Sequence, residues 1–196
     1  MAILTGSEIY KQIQAGNITM DPFDPKLINP NSCNLHIADE IKVYKSDRLI
    51  KLNGVDLIVL DSHKVNETDT YKMTDDGFML LPGILYLGRT VEKVGTTKFV
   101  PKLDGRSSTG RLGLKIHLTA GFGDIGFNGT WTLELEVTHP LIIYPGDEVC
   151  QICFETVEGD TDYLYNGRYQ GQVNATASRF YENKKGVFNL EDVAQD

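Results

Sequence analysis

Proline–glycine pairs cut the second half of the chain into short apolar runs, and that punctuation restricts the fold more than any other feature. Phe78-Met-Leu-Leu81 is followed by Pro82-Gly83 and Ile84-Leu-Tyr-Leu87, and Ile142-Ile-Tyr144 by Pro145-Gly146 and Val149 to Phe154. Proline presets the first central position of a type II turn, and glycine accepts the positive φ of the second. Runs of strand length bounded by such turns point to antiparallel β structure, a barrel or jelly roll. Between them, Trp131-Thr-Leu-Glu-Leu-Glu-Val137 alternates with period two. Trp131, Leu133, Leu135 and Val137 therefore face one way, and Thr132, Glu134 and Glu136 the other. A helix is expected only near the start, where Thr5-Gly-Ser-Glu8 offers Thr5 or Ser7 as cap, Ile9 and Ile13 share a face, and Gly16 stops the element. A strand is expected from Ile41 to Tyr44. Residues 45–76 read as irregular, with one apolar run, Leu57-Ile-Val-Leu60. The expected class is all-β with a short N-terminal helix.

A chain of 196 residues suits one domain, placed at residues 1–185, with residues 186–196 as a solvated tail. The net charge of −8, with no basic face, argues against a nucleic-acid polymer as partner. A triphosphate could bind only through local arginines. No apolar run reaches the length of a membrane span, and no basic-then-apolar leader opens the chain, so the expectation is a cytoplasmic protein. Three cysteines, an odd number, suggest no disulfide framework. Cys150-Gln-Ile-Cys153 has the spacing of a zinc-binding pair, but zinc-dependent nucleobase deaminases also carry a His-x-Glu and a proline before the first cysteine, and neither is present. On a strand, residues three apart point to opposite faces, so the pair does not converge on a metal, and the cysteines read as core residues.

The chemistry is concentrated between Leu103 and Val137. In Gly105-Arg-Ser-Ser-Thr-Gly-Arg-Leu-Gly113, two arginines flank three hydroxyl residues among glycines. Arginine forks match phosphate oxygens, and hydroxyls and bare N–H groups complete such a cradle. Next comes Thr119-Ala-Gly-Phe-Gly-Asp-Ile-Gly-Phe-Asn-Gly129, which sets one acid, Asp124, in a glycine-rich loop. Glu134 follows on the alternating strand. A phosphate cradle, a loop acid and a strand acid within 35 residues outline a nucleotide site. Further on, Tyr163-Leu-Tyr-Asn-Gly-Arg-Tyr-Gln-Gly-Gln172 has the composition of a polar lid. His36, His63, His117 and His139 show no ligand spacing and read as structural.

In that order and at that spacing, Gly105–Gly113, His117-Leu-Thr-Ala-Gly121, Asp124 and Leu133-Glu134 resemble the dCTP deaminase branch of the dUTPase-like superfamily, over about Leu4 to Tyr181. The resemblance implies a distorted β-barrel, a homotrimer with active sites at subunit interfaces, and zinc-independent deamination of dCTP to dUTP and ammonia. Glu134 would shuttle protons between water, N3 and the leaving ammonia, Ser107 would hold the water, and Arg111 would fix Glu134 or the intermediate. Arg106, Ser108, Thr109 and Gly110 would form the phosphate cradle, with Arg168 and Gln172 from the lid. Ala120 would accept from the 4-amino group through its carbonyl. Thr132, Leu133, Gln151 and Tyr165 complete the implied substrate contacts. The Pro30-x-Ser-x-x-Leu35 segment would support the fold and the subunit contacts.

Gly121-Phe-Gly-Asp-Ile-Gly-Phe-Asn-Gly129 is also similar to the dUTPase loop, in which the acid orients water at the α-phosphorus. There the aromatic, Phe127 here, packs on the deoxyribose. Thr119-Ala-Gly-Phe-x-Asp124, with Gln151 and Tyr169-Gln-Gly-Gln172, resembles the branch that continues to dUMP and pyrophosphate. Mg²⁺ is expected on the phosphates. Two departures stand out: Arg168 replaces a lysine, and Gly123 stands where relatives usually carry isoleucine. The other readings are a deaminase that releases dUTP, a plain dUTPase, which has no need of Glu134, and a non-enzymatic nucleotide-binding regulator.

Overall fold

The computed structural model describes residues 2–45 and 49–182. The tail expected at 186–196 lies outside them, as do residues 183–185 of the expected domain. Thr5 caps helix α1 (Gly6–Gln14) by accepting from the Glu8 N–H, and Gly16 follows with φ +74°. Among the described residues there are thirteen strands: β1 (Ile18–Asp21), β2 (Cys33–His36), β3 (Glu40–Tyr44), β4 (Leu49–Leu52), β5 (Val55–Ile58), β6 (Thr68–Lys72), β7 (Phe78–Leu80), β8 (Tyr86–Thr96), β9 (Val100–Gly105), β10 (Leu114–Lys115), β11 (Asn128–Val137), β12 (Leu141–Ile143) and β13 (Glu148–Glu155). A second helix, α2 (Ser107–Arg111), is a little over one turn long.

The larger sheet runs β10-β11-β8-β3-β6, with β1 also on β8, and a three-stranded sheet runs β2-β13-β9. All pairings are antiparallel. One apolar core joins the two sheets. Val94, Leu133 and Leu135 from the first meet Leu35, Ile152 and Phe154 from the second, all fully buried. The alternation read in β11 holds from Trp131 to Val137, with Trp131, Leu133, Leu135 and Val137 buried and Thr132, Glu134 and Glu136 half-buried on the other face. The β8–β11 register shifts between Thr130 and Thr132, but the extra residues lie in β8. The strand that carries Glu134 therefore stays regular.

The proline–glycine turns do form, with Gly83 at φ +81° and Gly146 at φ +83°. They do not fold their flanking strands onto each other. β7 pairs with β12, and each turn then carries the chain into one of the two main sheets. Turn chemistry is local, whereas β7 finds its partner some sixty residues away (Phe78 opposite Ile143). The apolar run Leu57–Leu60 is not core. It belongs partly to the β4–β5 hairpin, and its side chains are exposed.

Cys33 and Cys150 are fully buried free thiols, and Cys153 points the other way, half-buried. Burial pushes the Cys33 thiol up to about 12 and raises that of Cys150 further. Neither supplies a thiolate near neutral pH. Among the described residues, no three His, Cys, Asp or Glu side chains converge as metal ligands. Glu92, the deeply buried acid among the described residues, accepts from the His36 backbone N–H at 3.0 Å and meets His36 Nδ1 at 2.5 Å, which satisfies both oxygens.

Candidate active site

β11 delivers Glu134 to a cavity of about 470 Å³, large enough for a nucleoside. The backbone holds this residue twice. The Glu134 N–H donates to the Ile116 carbonyl at 3.0 Å, and its Oε2 accepts from the Leu118 N–H at 2.9 Å. A carboxylate on a regular strand with one oxygen tied to a backbone amide is pre-aimed, and its other oxygen makes no hydrogen bond among the described residues.

Asp124 lines the same cavity from the loop before β11, exposed and without a hydrogen bond to its carboxylate among the described residues. Phe127, Trp131 and Tyr165 form an aromatic wall, with ring centroids 5.2 Å apart for Phe127–Trp131 and 5.9 Å for Phe127–Tyr165, both edge-on. Ala120 and Thr132 complete this side of the lining.

Gly123 shows why the chain departs from isoleucine here. A Cβ on it would lie 2.2 Å from the Trp131 ring and 3.0 Å from the Pro101 carbonyl oxygen. The indole of Trp131 occupies the space that a side chain would need. Gly123→Ala is expected to destabilise the fold by about 1–3 kcal/mol through overpacking, read as a lower Tm. An unchanged Tm would mean that the Trp131 ring gives way at no cost.

The segment after residue 162 closes over the cavity as a strap. Its Tyr165 N–H donates to the Ile125 carbonyl at 2.7 Å, and the Gln172 carbonyl accepts from the Thr130 N–H at 2.9 Å. Gln170 clamps the loop by accepting from the Asn128 N–H and donating to the Gly126 carbonyl. Further along, Thr132 Oγ1 accepts from the Thr176 N–H at 3.1 Å and the Tyr44 hydroxyl from the Ser178 N–H at 3.2 Å. Gln172 lines the cavity, with Nε2 on the Thr130 carbonyl and a buried Oε1 that has no hydrogen-bond partner among the described residues. The sequence reading missed Tyr44, Leu118, Tyr169 and Thr176 as lining residues. Tyr169 and Thr176 lie in or near the segment read as a lid, but nothing local marked Tyr44 at the end of β3.

Seven of the expected residues thus surround one cavity: Glu134, Asp124, Ala120, Phe127, Thr132, Tyr165 and Gln172. The rest do not line it. Leu133 is fully buried beneath it. Ser107, Ser108 and Gly110 lie on α2, away from the lining. Arg111 donates to the Ser107 carbonyl at 3.1 Å, so in the single chain Leu118 rather than Arg111 holds Glu134. Thr109 turns its hydroxyl to the carbonyls of Arg106 and Val149. Arg106 lies against Glu148, 2.9 Å from its Oε2. Gln151 uses both ends of its amide, donating to the Gly105 carbonyl at 3.0 Å and accepting from Ser32 Oγ at 2.7 Å. The Arg168 carbonyl accepts from Arg179, whose guanidinium also pairs with Glu182.

Residues 3–157 match a family described as dCTP deaminase-like. Among similar proteins, the "dCTP deaminase, dUMP-forming" of Clostridium beijerinckii is 48% identical over 181 residues, 92% of this chain and 98% of that protein. The protein of the same description from Leptospira biflexa is 45% identical over 92% of this chain and 97% of its own length. Among solved structures, the 2′-deoxycytidine 5′-triphosphate deaminase of Agrobacterium tumefaciens aligns with a TM-score of 0.58 at 18% identity. That alignment covers 79% of this chain and 48% of the other, so this chain spans about half the length of that structure, and the likeness is one of fold.

Proposed function

Because this chain belongs to the dCTP deaminase-like family, we propose that it deaminates dCTP and carries the product on to dUMP within one cavity. It is a hydrolytic enzyme of nucleotide metabolism. The observation that carries the reading is the meeting of a strand acid, Glu134, and a loop acid, Asp124, on the walls of a single nucleoside-sized cavity. Relatives named as dUMP-forming, 48% and 45% identical over nearly their whole length, support the second step.

In the first reaction, water adds to C4 of cytosine, N3 takes a proton, and ammonia leaves. Glu134 takes one proton from the attacking water and gives it to N3, then takes the second from the C4 hydroxyl and gives it to the amine, which leaves as ammonia as the C4 carbonyl forms; both transfers require a positioned carboxyl group. The Ala120 carbonyl accepts from the 4-amino group, and Phe127 packs on the deoxyribose. In the second reaction, a water oriented by Asp124 attacks the α-phosphorus, and pyrophosphate leaves.

Mg²⁺ would sit with the phosphates. The donor set fits an ion held mainly by the nucleotide, since among the described residues Asp124 offers a free carboxylate and no three ligating side chains converge. When bound, the ion would neutralise phosphate charge.

The position of α2 off the lining supports a site completed by a second copy, whose Ser107, Arg111, Arg106 and Ser108 would reach the nucleotide, in a homotrimer. Such an enzyme draws on the nucleotide pool of the cytoplasm. No helix among the described residues is long and apolar enough to cross a membrane. The half-site arrangement has a direct test. Ser107→Ala and Glu134→Gln chains, each inactive alone, are expected to regain part of the wild-type rate when unfolded and refolded together. A mixture as inactive as its components would place both residues in one chain's site.

A further inference from the structure

We propose that Glu148 is a positioning residue for phosphate recognition, holding the Arg106 guanidinium by one edge so that the other is presented to the ligand. The inference rests on the phosphate role of Arg106 proposed above. Glu148 opens β13. Its Oε2 lies 2.9 Å from Arg106 Nη1, and its backbone carbonyl accepts from the same Nη1 at 2.9 Å. Among the described residues, both contacts of the guanidinium fall on Nη1. Nε and Nη2 remain as a two-pronged edge, the geometry that phosphate oxygens match.

The carboxylate is itself fixed from behind. Asn34, buried on β2, donates from Nδ2 to Glu148 Oε2 at 2.7 Å and accepts from Asn29 Nδ2 at 2.7 Å. A parallel tie through Ser32 and Gln151 ends on the Gly105 carbonyl, one residue before Arg106. The loop at 29–34 thus reaches across β13 to both the backbone and the side chain at the cradle's entrance.

A carboxylate beside a phosphate-binding arginine has an electrostatic cost, because it cancels charge that the ligand would otherwise meet. Against this stands the rotamer freedom of a half-exposed arginine, which must be given up on binding unless something has already removed it. The two contacts on Nη1, backed by a buried asparagine, make the second effect the larger. Glu148 therefore acts through Arg106 on substrate affinity and leaves the chemical step alone.

The test is a double-mutant cycle read in steady-state kinetics with dCTP and Mg²⁺. Glu148→Ala is expected to raise KM roughly three- to fivefold while kcat stays within about twofold. Glu148→Gln, which keeps an acceptor oxygen, is expected to raise KM less. With Arg106→Ala already present, neither change has a further effect. Glu148→Gln carries the same comparison in both backgrounds if the alanine variant fails to fold. A KM that falls on removing the carboxylate would show that Glu148 competes with phosphate, and an effect that persists undiminished beside Arg106→Ala would show that it acts elsewhere. Either result overturns the proposal while leaving the phosphate role of Arg106 in place. An unchanged KM in Arg106→Ala alone would remove that role, and the proposal with it.

Discussion

Glu134→Gln is expected to abolish ammonia release from dCTP, a loss of at least about 10²–10⁴-fold, the range of general acid–base catalysis. The amide fills the same volume and can still accept from the Leu118 N–H, so the strand and cavity are retained. What it lacks is a carboxylate that can take up and release a proton. Nucleotide binding is expected to persist, measured by titration of the variant with dCTP. Near-normal ammonia release would remove Glu134 from the mechanism and leave Asp124 as the remaining acid on the cavity wall.

Asp124→Asn separates the second reaction from the first. The neutral amide orients water poorly for attack on phosphorus, and pyrophosphate release from added dUTP is expected to fall by a similar factor, about 10²-fold or more. Deamination slows less, through any contact with the sugar. Glu134→Gln does the reverse, sparing pyrophosphate release while stopping deamination. The ratio of the two activities in each variant is the quantity to compare, because a general loss of binding lowers both. If both variants lose both activities in the same ratio, the two acids do not divide the chemistry.

The alternating strand was legible because burial on one face and solvent on the other imposes a period of two, and Trp131 to Val137 obeys it without exception. The helix start at Thr5 was legible for a similar reason: a capping hydroxyl is a local requirement. Strand partners were not, because β7 meets β12 across a separation that no turn signal spans.

At the site, Glu134 and Asp124 could be picked out because they stand in motifs of fixed order. How Glu134 is held could not be read, since its partner is a backbone amide, Leu118 N–H, and a main-chain donor leaves no mark in the sequence. The spacing of Arg106 and Arg111 around three hydroxyl residues reads as a phosphate cradle, and the resemblance assigns Arg106 to the phosphates and Arg111 to Glu134 or the intermediate. The structure gives each a partner within the chain, Glu148 for one and the Ser107 carbonyl for the other. Tyr44 entered the cavity wall unannounced because it comes from a strand far away in sequence and reaches the strap only through the fold.

The most direct test of one cavity performing both reactions is to incubate the wild-type protein with dCTP and Mg²⁺ and separate the products over time. The account predicts ammonia, dUMP and pyrophosphate in equal amounts, with little free dUTP at any point. Ammonia accompanied by accumulating dUTP, with no pyrophosphate released even from added dUTP, would contradict it and leave Asp124 a sugar-binding residue of a simple deaminase.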